Sequence, residues 1–214
     1  MTSSECERWL ASVGMATVLP GKAGLWPCML WEAQGHRGPF SGWDEAFQNV
    51  WSWKDEWPAR GLAWAGHLLG SQVMLVHVSL LPVFLGVRGR LDVEELYEEG
   101  GLSQPAIRVY RYLKAASPTV GRAELRSALG FTAPVFDKAC RDLERLLVIT
   151  RCGTVTEGPG WGANAYALVE RHFAEISPLS HGPARAALAE ALRRAAPAAT
   201  EVQLRRWSRA LSGG

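Results

Sequence analysis

The sequence lacks the short motifs by which most nucleotide-dependent and hydrolytic enzymes are recognised. Its 214 residues contain no phosphate-binding glycine loop, no Gly-x-Ser-x-Gly and no His-Glu-x-x-His. The four cysteines are far apart and form no Cys-x-x-Cys pair, which argues against a zinc site and against a redox dithiol. We therefore expect no metal, no cofactor and no catalytic residue that a motif would identify.

The chain also lacks the segments that direct a protein to or across a membrane. No basic start is followed by an apolar run, so no secretory signal peptide is predicted, and dispersed cysteines are typical of reduced thiols. Residues 61–87 carry no charge. Turn residues interrupt this stretch, so we interpret it as a helix over 59–69, a buried strand over 72–78 and a helix over 80–85 capped by Ser79. These features predict a cytoplasmic protein without a membrane span.

The net charge is small, but the charged residues are unevenly distributed along the chain. The formal net charge is only +2, and hydrophobic residues make up 48% of the chain, which predicts a globular protein. Residues 1–100 carry 7 Lys and Arg against 12 Asp and Glu, whereas residues 101–214 carry 16 against 9. The basic second half favours a nucleic-acid partner. The alternative is that the two halves attract each other.

Residues 103–147 have the pattern of three short helices. The second helix is predicted over 121–129 and ends at Gly130, which can adopt left-handed backbone angles. Thr132 can then cap a third helix over 133–147. Two helices joined by a short turn that contains glycine indicate a helix-turn-helix.

The segment that follows predicts a β-hairpin. Residues 148–151 are rich in β-branched side chains, and residues 161–168 supply the return strand, with Arg151 and Trp161 expected at the tip. Three helices and this hairpin together predict a winged helix-turn-helix, a module that most often binds nucleic acid. The alternative role of Trp161 is to cover the apolar side of the hairpin.

The third helix carries a basic stripe opposite its predicted apolar stripe. In a winged helix-turn-helix that stripe faces the major groove, where Lys and Arg neutralise phosphates and Arg reaches guanine. The residues predicted to bind nucleic acid are Thr132, Lys138, Arg141, Arg145 and Arg151.

The alternative for this stripe is a solvated face that satisfies its own charges. Asp137 stands four residues before Arg141, and Lys138 stands four before Asp142, so each pair can form along the helix. Glu144 lowers the positive charge further. Under this interpretation the helix docks onto protein and does not read DNA.

Tryptophan is concentrated at the other end of the chain, with eight of ten within the first 64 residues. The rings can form the core of a small domain, a pocket that holds bases, or a protein-docking surface. A carboxylate among indoles can have a raised pKa suited to acid–base catalysis. The residues of such a pocket would be Trp51, Trp53, Asp55, Glu56 and Trp57.

We therefore predict an α+β, mainly helical fold in three parts. A tryptophan-rich α/β region occupies 1–100, the winged helix-turn-helix 101–178, and a helical tail 183–214. In the tail, Leu204 and Leu211 belong to an apolar stripe that we expect to be buried.

Three segments resemble a known family of bacterial proteins. They read LWPCMLWEAQG from Leu25, WSWKDEWPARGLAWAGHLLGSQVMLVHVSLLPVF from Trp51 and LYEEGGLSQPAIRVYRYL from Leu96. With the helices that follow, they resemble the AlkZ-related winged-helix proteins, shorter relatives of the AlkZ-type DNA glycosylases. The resemblance covers residues 20–175.

The resemblance implies association with DNA. The AlkZ-type glycosylases remove crosslinked or alkylated bases, carry several winged helices and need a Gln-x-Gln motif. This chain has no Gln-x-Gln, and Gln72 stands alone. The leading hypothesis is a DNA-binding winged-helix protein linked to repair or regulation, without a catalytic motif. The alternatives are a glycosylase-like enzyme acting on damaged bases and a module that binds a protein partner.

Overall fold

The computed structural model describes residues 1–21, 24–38, 42–89, 91–116, 118–155 and 162–212. More than half of these residues are helical, and the strands form two small antiparallel sheets. The predicted α+β, mainly helical class is confirmed. The predicted hairpin loop and Trp161 lie outside the described residues.

The first sheet belongs to the tryptophan-rich region. Its strand order is β1-β3-β2, and both pairings are antiparallel, with Met15 opposite Val76 and Trp64 also opposite Val76. The elements of this region are α1 (Ser3–Val13), β1 (Met15–Thr17), α2 (Met29–Gln34), α3 (Glu45–Ala59), β2 (Ala63–Gly66), β3 (Met74–His77) and α4 (Leu81–Arg88).

The prediction of a helix over 59–69 is wrong, because this segment contains β2. Helix α3 ends at Ala59, and Gly61 adopts a φ of 70°, which turns the chain out of the helix. All four residues of β2 are buried. A strand buried on both faces reads as a continuous apolar run, which periodicity does not separate from a helix.

Ser79 does not cap the next helix as predicted. It lies in a single 3-10 turn over Val78–Leu80, where His77 Nδ1 accepts a hydrogen bond from the Ser79 backbone N–H at 3.2 Å. Helix α4 follows at Leu81, with Pro82 in its first turn. The predicted strand over 72–78 is confirmed with shorter bounds, as β3.

The second sheet belongs to the segment after residue 100. Its strand order is β4-β6-β5, and β4 is a two-residue strand that the sequence did not predict. The elements are α5 (Val93–Glu98), α6 (Gln104–Ala115), β4 (Val120–Gly121), α7 (Arg122–Leu129), α8 (Ala133–Arg145), β5 (Ile149–Val155) and β6 (Ala163–Leu168).

The ends of α7 and α8 follow local backbone chemistry. Gly130 ends α7 in the left-handed conformation, as predicted. Thr132 is the N-cap of α8, although its side chain makes no capping hydrogen bond. Helix α8 ends two residues earlier than predicted, because Leu147 has a positive φ of 54° and Arg88 donates to its carbonyl oxygen at 2.8 Å.

The C-terminal helices are α9 (Val169–His172), α10 (His181–Ala195) and α11 (Glu201–Leu211). Leu204 and Leu211 are buried, as the predicted stripe requires. They share one hydrophobic cluster with β2, β3 and α4, so the tail packs on the tryptophan-rich region. Within the described residues no helix is long and apolar enough to cross a membrane.

Candidate functional site

The two sheets meet through their edge strands, β2 and β5, by side-chain hydrogen bonds. The indole Nε1 of Trp64 donates to the carbonyl oxygen of Ile149 at 3.0 Å. The backbone N–H of Ala65 donates to Thr150 Oγ1 at 3.1 Å. Both contacts are buried, so they fix how the tryptophan-rich region sits against the hairpin and α8.

A buried ion cluster lies beside this junction, formed by His67, Glu144 and Arg151, and we call it the Glu144 cluster. Glu144 Oε2 accepts hydrogen bonds from the backbone N–H of His67 at 2.9 Å and from its Nδ1 at 2.5 Å. Glu144 Oε1 accepts from Arg151 Nε at 2.9 Å. An ionised carboxylate only accepts hydrogen bonds, so both of its oxygens are satisfied here.

Charge is retained in the cluster despite its burial. Burial opposes ionisation of Glu144, but the hydrogen bonds from His67 and Arg151 and the charge of Arg151 hold its pKa below the ordinary value. Burial also opposes the charge of Arg151, yet Glu144 raises the pKa of Arg151. The cluster therefore joins α8, β5 and the end of β2 by a charged pair at neutral pH.

Two sequence interpretations are revised by this cluster. Glu144 is fully buried and does not dilute the charge of a solvated face. Glu144 is buried because it follows Phe136 and Cys140 at intervals of four residues, which places all three on the inner side of α8. Arg151 lies within β5, at a bend opposite Tyr166, and not at the tip of the hairpin.

The opposite side of α8 is open to solvent. We call Val135, Lys138, Asp142 and Arg145 the outer face of α8. The side chains of Lys138 and Arg145 are 67% and 52% exposed, and Val135 is among the exposed large hydrophobic residues. Lys138 Nζ lies 2.7 Å from Asp142, as predicted, and Arg145 Nη1 lies 4.0 Å from the same carboxylate.

Arg141 and Asp137 lie on the flank of α8 that turns towards the tryptophan-rich region. Asp137 pairs with Arg122 of α7, so the predicted pair with Arg141 is wrong. The short hydrogen bond from Arg122 lowers the pKa of Asp137. Arg141 is half-buried and lines a small cavity of about 200 Å³ together with His67 and Tyr166. The predicted basic row is thus split between an open face and a flank.

The five residues of the predicted pocket fall on three sides of α3. Trp53 and Trp57 stack with ring centroids 5.8 Å apart inside the core. Glu56 is exposed and pairs with Arg60 at 2.9 Å. Trp51 and Asp55 are on a third side, where they line a cavity.

We call this cavity the larger cavity, since its volume of about 730 Å³ exceeds that of the small cavity beside Arg141, and it opens between α3, the β2–β3 connection and the β5–β6 hairpin. Its ionisable lining residues are Lys54, Asp55, Arg122 and Arg151. Lys54 Nζ lies 2.7 Å from Asp55, and its charge sits 4.2 Å from the centroid of the Trp51 ring. In the described ranges, no group of three His, Cys, Asp or Glu side chains is placed to hold a metal ion.

Sequence reasoning missed Gln72, Arg122 and Asn164 as cavity residues. Gln72 lies in the β2–β3 connection, Arg122 at the start of α7 and Asn164 in β6, so only the fold brings them together. No local spacing signals such a set.

Comparison with known proteins gives one result. A family model described as AlkZ related matches residues 1–209. No curated protein and no solved structure shows a significant match to the chain.

Proposed function

The chain belongs to the AlkZ-related family, and from this membership we propose that it is a DNA-binding protein connected to DNA repair. In this proposal residues 103–168 form a winged helix-turn-helix, and the outer face of α8 lies in the major groove of duplex DNA. No catalytic step is part of the proposal.

The order of elements supports the winged helix-turn-helix. Helix α6 is followed by a short strand, two helices and two further strands, and the short strand adds to the hairpin through β6. The connection between α7 and α8 spans residues 130–132 and begins with a left-handed glycine. A turn of this length with glycine is typical of helix-turn-helix proteins.

The observation that carries the proposal is the open outer face of α8. The tryptophan-rich region packs against the flank that bears Glu144 and leaves Val135, Lys138 and Arg145 exposed. Lys138 and Arg145 are seven residues apart, which is about 10.5 Å along a helix axis. The major groove is about 12 Å wide and admits an α-helix, so two cations on the same exposed side of α8 can contact phosphates of one groove. Val135 in the first turn is suited to contact a thymine methyl group.

Asp142 competes with this role only weakly. An exposed ion pair such as Lys138–Asp142 contributes about 0.2–1 kcal/mol, so a phosphate can replace Asp142 as the partner of Lys138. The released carboxylate can in turn accept a hydrogen bond from cytosine N4. Asp142 therefore lowers the positive charge of the outer face of α8 but does not prevent Lys138 from contacting a phosphate.

The test is the affinity of a mixed-sequence duplex, measured by fluorescence anisotropy at low salt. The double variant Lys138→Gln/Arg145→Gln should bind at least tenfold more weakly than the unchanged protein, since two phosphate contacts are lost. The matched control is Arg185→Gln/Arg205→Gln, which removes two exposed cations from α10 and α11.

Equal affinity of the double variant and the unchanged protein would contradict the proposal. So would tight binding of a protein partner to the outer face of α8 without measurable affinity for duplex DNA. Such a result would favour a protein-interaction module. Loss of affinity in the control alone would assign DNA binding to the C-terminal helices.

A further inference from the structure

The larger cavity has no role in the contacts proposed for α8. Its volume of about 730 Å³ lies within the range of roughly 300–1,000 Å³ that is typical of small-molecule sites. It is separated from the outer face of α8 by the flank that carries Asp137 and the Glu144 cluster. A ligand in the cavity would contact α3 and the hairpin.

Two carboxamide side chains in the cavity are available to a ligand. Within the described residues, Gln72 Nε2 makes one hydrogen bond, a long one of 3.4 Å to the carbonyl oxygen of Pro20. Asn164, on β6, lines the same cavity, and its side chain makes no hydrogen bond within the described part of the chain. A carboxamide offers a donor and an acceptor side by side, which is the pattern that the edges of nucleobases complement.

Two guanidinium groups form a second part of the cavity wall. Arg122 forms an ion pair with Asp137, and Arg151 forms one with Glu144. Arg122 also lies over the ring of Phe136, with its central carbon 5.2 Å from the ring centroid. A guanidinium has five N–H donors, so each keeps donors for a ligand. Fixed guanidinium groups are suited to phosphate.

A third part of the cavity wall combines an aromatic ring, Trp51, with a cation, Lys54. Phe47 stacks on Trp51, a lining residue, with ring centroids 5.4 Å apart, which restricts the motion of the indole. Lys54 lies between this ring and Asp55 and can move from Asp55 to an anionic ligand. Among the described residues, three cations and one carboxylate line the cavity, so an anion is favoured over a neutral ligand.

Other ligand classes fit less well. A wholly apolar ligand would strip water from Lys54, Arg122 and Arg151 without replacing their hydrogen bonds, which is costly. A single inorganic anion would satisfy the cations and leave Gln72 and Asn164 unused.

We infer that the larger cavity binds one nucleotide, with its phosphate on Arg122 and Arg151 and its base edge on Gln72 and Asn164. Two sources supply this chemistry, a free mononucleotide and an unpaired nucleotide within a DNA strand. In the second case the inference rests on the proposed DNA binding, and the cavity would add a preference for interrupted duplexes. Extruding a base costs a few kcal/mol, least where it is already unpaired.

The experiment uses the full chain and two kinds of probe. Calorimetric titration with the four deoxynucleoside monophosphates and with inorganic phosphate tests the free ligand. Anisotropy with a paired duplex and with the same duplex carrying a one-nucleotide bulge tests the strand. We expect a mononucleotide to bind more tightly than phosphate, or the bulged duplex to bind at least fivefold more tightly than the paired one.

The variant Gln72→Ala/Asn164→Ala should reduce that mononucleotide affinity at least tenfold, or abolish that bulge preference. Gln104→Ala, in an exposed carboxamide at the start of α6, is the matched control and should leave both unchanged. Thermal unfolding of each variant checks that the fold is intact.

Three outcomes overturn the inference. The first is the absence of both mononucleotide binding and bulge preference. The second is binding of phosphate as tight as that of any mononucleotide, together with no bulge preference. The third is full retention of mononucleotide binding or bulge preference by Gln72→Ala/Asn164→Ala. Failure here is distinct from failure of the proposed function. The Lys138→Gln/Arg145→Gln variant tests the paired duplex, whereas the cavity variant should leave paired-duplex affinity unchanged.

Discussion

The substitution Glu144→Ala removes the carboxylate that holds the Glu144 cluster together. It leaves Arg151 charged, with only 19% of its side chain exposed, and leaves the backbone N–H of His67 without its acceptor. Removing one partner of a buried ion pair costs about 3–5 kcal/mol. Because Arg151 keeps some access to water, we expect the lower end of this range, about 3 kcal/mol.

This loss is a large part of the stability that a protein of this kind has, since folded domains are stable by about 5–15 kcal/mol. Urea unfolding followed by tryptophan fluorescence measures it directly, as a lower midpoint at an unchanged slope. The control is Glu56→Ala, which breaks an exposed pair with Arg60 and should cost less than about 1 kcal/mol.

A second variant separates the charge from the packing. In Glu144→Ala/Arg151→Met the unpaired cation is gone, so the double variant should be less destabilised than the sum of the two single ones. If Glu144→Ala costs no more than Glu56→Ala, the carboxylate is not buried against Arg151, and the arrangement of the two sheets described above is refuted.

Three further predictions follow from the same contacts. Since the pKa of Glu144 is lowered on folding, its contribution to stability is complete above the ordinary value of 4.5 and is lost as pH falls through the lower pKa of the folded state. The urea midpoint of Glu144→Gln should therefore fall less than that of the unchanged protein as the pH is lowered below 4.5, and an equal fall would contradict the lowered pKa. Gly86→Ala should destabilise the protein by about 1–3 kcal/mol, because the new Cβ would clash with the carbonyl oxygen of Leu179. The control Gly182→Ala should leave the stability unchanged, since its Cβ would contact no other residue. An unfolding midpoint for Gly86→Ala above that of the unchanged protein would contradict the packing of α4. Burial raises the pKa of the Cys6 thiol to about 12. A thiol reagent at pH 8, which is about the ordinary thiol range, should therefore modify Cys6 only when the protein unfolds. Rapid modification of Cys6 in the folded protein would show that its thiol is accessible to solvent.

Helices α7 and α8 could be predicted because their ends are set locally. Gly130 and Thr132 mark the turn between them, and the apolar stripe of α8 repeats with the helical period. Strand β4 could not be predicted in this way. It has two residues, Val120 and Gly121, and exists only through pairing with Tyr166 and its neighbour in β6.

The spacing of residues in α3 is enough to predict which of them line the cavity and which enter the core. Trp51 and Asp55 are four residues apart and share one face, which lines the larger cavity. Trp53 and Trp57 are also four apart and share another face, which enters the core. The predicted single pocket therefore combined residues from two different faces of the helix.

The Glu144 cluster shows the limit of local reasoning. The spacing of Phe136, Cys140 and Glu144 places the carboxylate at the edge of the core stripe, and a buried carboxylate requires a partner. That partner, His67, lies 77 residues away along the chain. Only the meeting of β2 with β5 brings the two together.

The central claim is that the outer face of α8 binds the DNA backbone, and its most direct test is the salt dependence of duplex affinity. The unchanged protein should show a linear fall of log affinity with log salt, and Lys138→Gln/Arg145→Gln should reduce the slope by about 1.8, which is two contacts at about 0.9 each. A slope that is the same in both proteins, or no measurable affinity for duplex DNA at low salt, would contradict the claim.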